Sequence, residues 1–217
     1  MQKINARKIK KLDLILFDFH NTLSNSLFYT GLEKEYPEIS YKLSKNIFNN
    51  KNKIPILEKW MKGKYTYKEF NRIVAKEIKC KPAILDYHLE KSVKRMSLNK
   101  DLIYFAKNMK KRGIKVVIFT DNMDPFKKMV VPNLKLNDTF DNIISSWDYK
   151  MLKEEKNGRF VDVILKQMKI EIKKTLLIDD SLGISKIIRN KGGHSYLYKD
   201  YNNEFPKFYA WFTKKFL

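Results

Sequence analysis

Three short runs of this chain are apolar almost without interruption, and each stops at an acidic residue: Leu12–Asp18 (LDLILFD), Lys115–Asp121 (KVVIFTD) and Thr175–Asp180 (TLLIDD). Strands of a half-exposed sheet alternate apolar and polar residues, whereas strands covered on both faces do not. The three runs therefore read as parallel strands inside a layered fold. Two weaker runs, Phe140–Ser146 and His194–Tyr198, bring the set to five. Helical patterns lie between them: Leu102, Phe105, Ala106 and Met109 in Asp101–Lys111; Val161, Ile164 and Met168 in Phe160–Met168; Ile184, Ile187 and Ile188 in Leu182–Arg189. Such alternation predicts an α/β fold with a doubly wound, parallel five-stranded sheet and right-handed crossovers.

Residues 25–98 break the alternation. Amphipathic stretches run through Leu27–Glu35, Tyr41–Phe48, Ile56–Met61, Tyr67–Ile78 and Ile84–Met96, punctuated by Pro37, Pro55, Gly63 and Pro82, with no strand pattern among them. The expected organisation is an α/β core of residues 1–24 and 99–217 carrying a helical cap at 25–98. The aromatic segment Glu204–Leu217 is expected to dock as a terminal helix on the sheet rather than on a membrane surface.

Charge narrows the partners less than its size suggests. Lys+Arg number 45 against 24 Asp+Glu, a net charge of +21, but only six of the 45 are Arg. Arg is the better residue for specific phosphate forks, and the lysines are spread over the whole chain. The excess reads mainly as background composition; the polyanionic or phosphorylated partner that such a field attracts, nucleic acid or a small phosphorylated molecule, stays open. A single cysteine, Cys80, excludes a disulfide framework and a multi-cysteine zinc site. The basic start, Met1–Lys11, precedes an apolar run too short and too charged for a signal peptide, and no stretch reaches the length of a membrane span. A cytoplasmic protein without a membrane partner is expected.

Ligands of open α/β sheets bind beyond the carboxyl ends of the strands. The first strand continues as Asp18-Phe19-His20-Asn21-Thr22-Leu23, the second ends Thr120-Asp121-Asn122, and the fourth ends Asp179-Asp180-Ser181. Lys150 and Lys153 follow the third. Acidic groups at the ends of apolar strands are costly unless compensated. Carboxylates converging on one edge beside a lysine suit a hard, oxygen-seeking ion such as Mg²⁺ together with a phosphate.

These residues resemble the motifs of the haloacid dehalogenase-like (HAD) hydrolases. Asp18-Phe19-His20-Asn21-Thr22-Leu23 is similar to that family's first motif, D-x-D-x-T-[LV]. Thr120 matches the second motif, Lys153 or Lys150 the third, and Asp179-Asp180 the acidic pair of the fourth. The intervals are 102 residues from Asp18 to Thr120, 33 to Lys153 and 27 to Asp180. The resemblance implies a central first strand and a helical cap acting as a lid. It implies a phosphatase in which Asp18 attacks phosphorus and forms an aspartyl-phosphate. Mg²⁺ would be held by Asp18, Asp179, Asp180 and the His20 carbonyl. Thr120, the Asp121 backbone N–H and Lys153 would hold the phosphoryl group.

Three departures qualify the match. His20 stands where the family's phosphatases carry an acid/base Asp, so His20 is either the acid/base or only a carbonyl donor. Neither lysine is followed by the usual proline. Asn21 replaces a glycine, which Asn tolerates in turns. The first departure leaves a non-catalytic binding or regulatory protein as the alternative; a phosphatase of nucleic-acid ends and a metal-independent dehalogenase are the others. His88, His194 and Cys80 are expected to be structural.

Overall fold

The computed structural model describes residues 12–217; the basic segment Met1–Lys11 lies outside the described residues. Five strands, β1 (Leu14–Phe17), β2 (Lys115–Thr120), β3 (Asn142–Ser145), β4 (Thr175–Asp179) and β5 (His194–Leu197), form one sheet in the order β3-β2-β1-β4-β5. Every pairing is parallel. The doubly wound sheet and the central first strand are as expected, and all four residues of β1 are fully buried. The strands are shorter than the apolar runs because their polar ends turn out of the ladder. Phe17 pairs with both Ile118 and Ile178, so the next residues, Asp18 and Asp179, leave neighbouring strands at one level.

Between β1 and β2 come α1 (Leu32–Glu35), α2 (Pro37–Leu43), α3 (Ile54–Met61), α4 (Tyr67–Ile78), α5 (Pro82–Val93) and α6 (Lys100–Lys111). After β2 follow α7 (Val131–Asn133), α8 (Ser146–Tyr149), α9 (Glu155–Met168), α10 (Leu182–Asn190) and α11 (Phe205–Phe216). Side chains alternate across the sheet. Leu14, Leu16, Val117, Phe119 and Leu177 meet Phe160, Ile164, Ile184 and Ile188 of α9 and α10. Ile15, Phe17, Val116, Ile118 and Ile178 share the other cluster with α6, α11 and the cap. Phe208 and Phe212 of α11 set their rings edge-on to Phe105 of α6, each 4.9 Å between centroids. The terminal helix thus docks on the core. No helix among the described residues is long and apolar enough to cross a membrane.

The insertion holds helices and turns only, among the described residues. Its best-defined helix, α4, opens with a capping box: Thr66 Oγ1 accepts from the Glu69 N–H, and the Glu69 carboxylate accepts from the Thr66 N–H at 2.7 Å. Trp60 stacks on Phe70 with centroids 3.9 Å apart. Two expected helices are cut short. Leu27–Glu35 shrinks to α1 because Tyr29 (φ 64°) and Gly31 (φ 98°) are left-handed, and Tyr41–Phe48 divides into α2 and a π-helical turn at Ser44–Phe48. The chain enters and leaves the insertion side by side: Ser24 Oγ donates to the Ser97 carbonyl at 2.7 Å, and the Asn99 N–H donates to the Leu23 carbonyl at 2.8 Å.

Candidate active site

The carboxyl edge of the sheet gathers the charged residues that end its strands. Asp18 is buried, and its backbone N–H continues the ladder to the Ile178 carbonyl at 2.9 Å. Lys153, also buried, donates from Nζ to Asp18 Oδ1 at 2.8 Å and to Asp179 Oδ2 at 2.7 Å. Of the two candidate lysines, Lys153 is the one brought to Asp18 and Asp179. Lys150 turns away, donating to the Trp147 carbonyl at 2.7 Å. Asp179 is fully buried, and its other oxygen accepts from the Ser181 N–H at 2.8 Å. Asp180 is the most open of the acids and accepts from Asn21 Nδ2 at 3.0 Å. Asn21 reaches it from a tight turn that its left-handed φ of 54° permits, closed by its N–H to the Ser24 carbonyl.

Each loop is braced by side chains that motif matching passes over. The Asp121 carboxylate accepts from the Lys153 backbone N–H, at 3.0 and 3.1 Å to its two oxygens. Expected as a backbone donor to phosphate, Asp121 also uses its side chain to hold the Lys153 loop. Glu154 accepts from Ser181 Oγ at 2.5 Å and from the Ile184 N–H at 3.1 Å, tying that loop to the start of α10. Gly183 makes room for it, because a Cβ there would displace the Glu154 carboxylate. The Gly183 beside a Ser181 cap was the available sequence signal. Trp60 of the cap donates from Nε1 to the buried Asp124, past the end of β2, at 3.0 Å.

The electrostatics record crowding. Burial would lower the Lys153 pKa, but Asp18, Asp179 and Asp121 more than offset it and hold the ammonium well above its ordinary range. Burial, reinforced by Asp18 and Asp179, pushes the Asp121 carboxyl up to about 7 despite Lys153. Asp179 is pushed up in the same way, by burial first and by Asp18. Oxygens of Asp18, Asp179 and Asp180 lie within 4.8 Å of one another. Asp18, Asp179 and Asp121 act on one ammonium and Asp180 stands beside the first two, which is the excess negative charge and hard donor set that a divalent cation relieves. The hydroxyls of Thr120 and Thr22 are buried without a hydrogen-bond partner. Buried polar groups are rarely left so, and Thr120 Oγ1 is a donor free for a bound oxyanion. The residues fit magnesium and phosphate together.

His20 is half-buried in the turn after Asp18. His88 is enclosed in the cap by the rings of Tyr36 and Tyr87, at 5.7 and 5.2 Å, and burial lowers its pKa. His194 packs on Phe216. Burial pushes the Cys80 thiol up, away from nucleophile chemistry.

The profile of the haloacid dehalogenase-like hydrolases matches residues 12–183. No curated protein matches the sequence. Solved structures share the fold. A predicted HAD-like hydrolase from Porphyromonas gingivalis superposes with a TM-score of 0.73 at 13% identity, covering 93% of this chain and 98% of its own. A HAD family enzyme from Bacteroides thetaiotaomicron, in complex with magnesium and inorganic phosphate, gives 0.67 at 18%, covering 85% and 93%. The L-2-haloacid dehalogenase from Xanthobacter autotrophicus, with chloropropionic acid covalently bound, gives 0.60 at 14%, covering 85% and 76%. With its motifs in order on the carboxyl edge of a five-stranded parallel sheet, the chain belongs to the haloacid dehalogenase-like hydrolase family.

Proposed function

We propose that the protein is a Mg²⁺-dependent phosphomonoesterase that works through an aspartyl-phosphate on Asp18. The observation that carries this reading is the Lys153 ammonium bridging Asp18 and Asp179 at 2.8 and 2.7 Å inside a cluster of further carboxylates. A dehalogenase needs no metal and gains nothing from that excess of acid. Magnesium, held by Asp18, Asp179, Asp180 and the His20 carbonyl, would supply the positive charge that lets a carboxylate approach a phosphate dianion.

The remaining work falls to the chain. An Asp18 oxygen attacks phosphorus in line as the bond to the ester oxygen breaks. Lys153 holds that carboxylate in place and neutralises charge gathering on the phosphoryl oxygens. Thr120 Oγ1 donates to one of them. The leaving alkoxide takes a proton from the His20 imidazolium, and the neutral imidazole left behind then accepts one from the water that cleaves the aspartyl-phosphate. The cap excludes bulk water and contacts the leaving group. A lid of this helical kind suits small substrates such as sugar phosphates or nucleotides.

The deciding experiment measures phosphate release with Mg²⁺ from sugar phosphates, nucleotides, p-nitrophenyl phosphate and 5′- or 3′-phosphorylated oligonucleotides, and halide release from 2-chloropropionate. Phosphate release lost in EDTA is the expected result. No turnover of any phosphate, or metal-independent halide release, would overturn the proposal. A steep loss of oligonucleotide turnover with salt would assign part of the +21 charge to substrate binding. Wild type, His20→Ala and His20→Asp compared on an alkyl and an aryl phosphate test the acid. His20→Ala should fall further on the alkyl ester, and equal rates for it and wild type on both esters would remove His20 from acid/base chemistry.

A further inference from the structure

Lys150, the third-motif candidate that the catalytic centre leaves over, belongs to a second basic site. A cleft of about 290 Å³ opens where the cap meets the loop before α9. Lys62 of the cap, Lys150, Lys156 and Arg159 line it, with Glu155 as its acid and Phe160 on its floor. Four cations against one carboxylate leave three positive charges in excess, and crowding like charges costs energy unless something answers it.

The lining is held in place rather than loosely draped. Lys62 pairs with Glu155 at 2.6 Å. The Lys150 ammonium stands 4.4 Å over the Trp147 ring while donating to the Trp147 carbonyl. It rests against Gly63 of the cap, where φ is +70° and a Cβ would meet the Trp147 carbonyl oxygen at 2.7 Å and the lysine head more closely still. Lys156 (φ 48°), Asn157 (φ 54°) and Gly158 (φ 75°) form three consecutive left-handed residues, a conformation that costs non-glycine residues roughly 1–2 kcal/mol each. That turn carries Lys156 and Arg159 on its two sides. Neither side chain has a hydrogen bond or ion pair among the described residues. A planar guanidinium with free donors beside an unpaired ammonium matches the geometry of a phosphate.

We propose that this cleft is a second anion site that takes a phosphate-class dianion. It lies near the catalytic centre without sharing its residues. Phe160 packs its ring 4.8 Å from that of Phe119, and the Phe119 ring lies 6.0 Å from Lys153 Nζ. The dianion comes from a second phosphate on the substrate or from a separate phosphate or polyphosphate. The cleft binds it whether or not Asp18 turns over an ester, so this inference goes beyond the phosphatase reading.

Calorimetric titration of the whole chain with inorganic phosphate, with Mg²⁺ present, tests it, beside a Lys156→Ala/Arg159→Ala variant. Both positions are exposed, so the variant keeps its fold. Wild type should bind two equivalents, and the variant should lose one or bind it at least about tenfold more weakly. Identical stoichiometry and affinity in the two proteins would overturn the site. Turnover of p-nitrophenyl phosphate, measured in parallel, reports on the catalytic reading alone: a protein without turnover that still loses an equivalent in the variant keeps the cleft and drops the phosphatase. Where turnover exists, an organic bisphosphate assigns the source. A KM raised about tenfold in the variant for the bisphosphate but not for a monoester identifies a second substrate phosphate. An unchanged bisphosphate KM with the equivalent lost identifies a separate anion.

Discussion

The cap and the core each bury a polar cluster, and the two are built in opposite ways. In the cap, Tyr29 Oη donates to Asn71 Oδ1 at 2.6 Å and Asn71 Nδ2 donates to Asp86 Oδ1 at 2.7 Å. The fully buried Asn71 thus spends its amide on two partners chosen by shape. In the core, three carboxylates act on one lysine with Asp180 beside them, two of the three are pushed toward the protonated form, and the Thr22 and Thr120 hydroxyls have no partner. A satisfied network fixes a structure; a charged network with surplus donors and acceptors awaits a ligand. The cap cluster should therefore matter for stability and little for chemistry, and the core cluster the reverse, apart from its lysine.

Substitutions can break that contrast. Lys153→Met leaves Asp18 and Asp179 buried without their cation, and should cost about 3–5 kcal/mol in urea unfolding together with all turnover; Mg²⁺ should restore part of the stability and none of the activity. Unfolding of this variant at the wild-type midpoint would show that the ion pair is not what holds the site. Asp18→Asn should lower kcat by at least ~10³-fold while leaving stability in EDTA equal to wild type or higher, since one crowded charge is gone. A clear loss of stability there would mean that Asp18 is structural. For the cap, Asn71→Ala strands the Tyr29 hydroxyl and Asp86 and should cost about 1–3 kcal/mol, with kcat per folded molecule within about twofold of wild type.

The smallest expected effect is in pH. Asp121 is raised from 3.8 to about 7, so the folded protein holds its proton where the unfolded chain has released it. That contribution to stability is complete below pH 3.8 and is lost as pH rises through about 7. In EDTA, Tm of wild type relative to Asp121→Asn should fall by about 2–4 °C across this window, and Mg²⁺ should flatten the difference. A rise with pH would show that Lys153 dominates Asp121.

The sheet was legible in the sequence because β1, β2 and β4 are buried on both faces and carry little but Ile, Leu, Val and Phe. Their acidic ends were legible for the same reason, as charges in the wrong solvent. Less could be read where partners are remote. Trp60 and Asp124 are 64 residues apart in sequence, and nothing local to either announces the bond. The helical turns between β2 and β3 escaped because a π turn at Phe126–Val130 and a short 3₁₀ turn at Leu136–Asp138 carry no steady period. Choosing Lys153 over Lys150 needed the loop's direction, which is set by Asp121 past the end of β2 and by the bonds of Glu154 to Ser181 and Ile184 past the end of β4.

The side-by-side entry and exit of the insertion bears on how the chain is made. β1 is the centre of the sheet, yet its first partner, Lys115 opposite Leu14, lies 101 residues downstream. At roughly 5–20 residues per second, a ribosome leaves that apolar strand unpaired for about 5–20 s. A cap folding as it emerges would bring Leu23 and Asn99 together. The loop that β1 and β2 must close would then shrink from about a hundred residues to about twenty, an entropic saving of about 1–2 kcal/mol. Pulse-labelled hydrogen exchange would show Phe70 amides protected before those of Leu16 if assembly runs in that order.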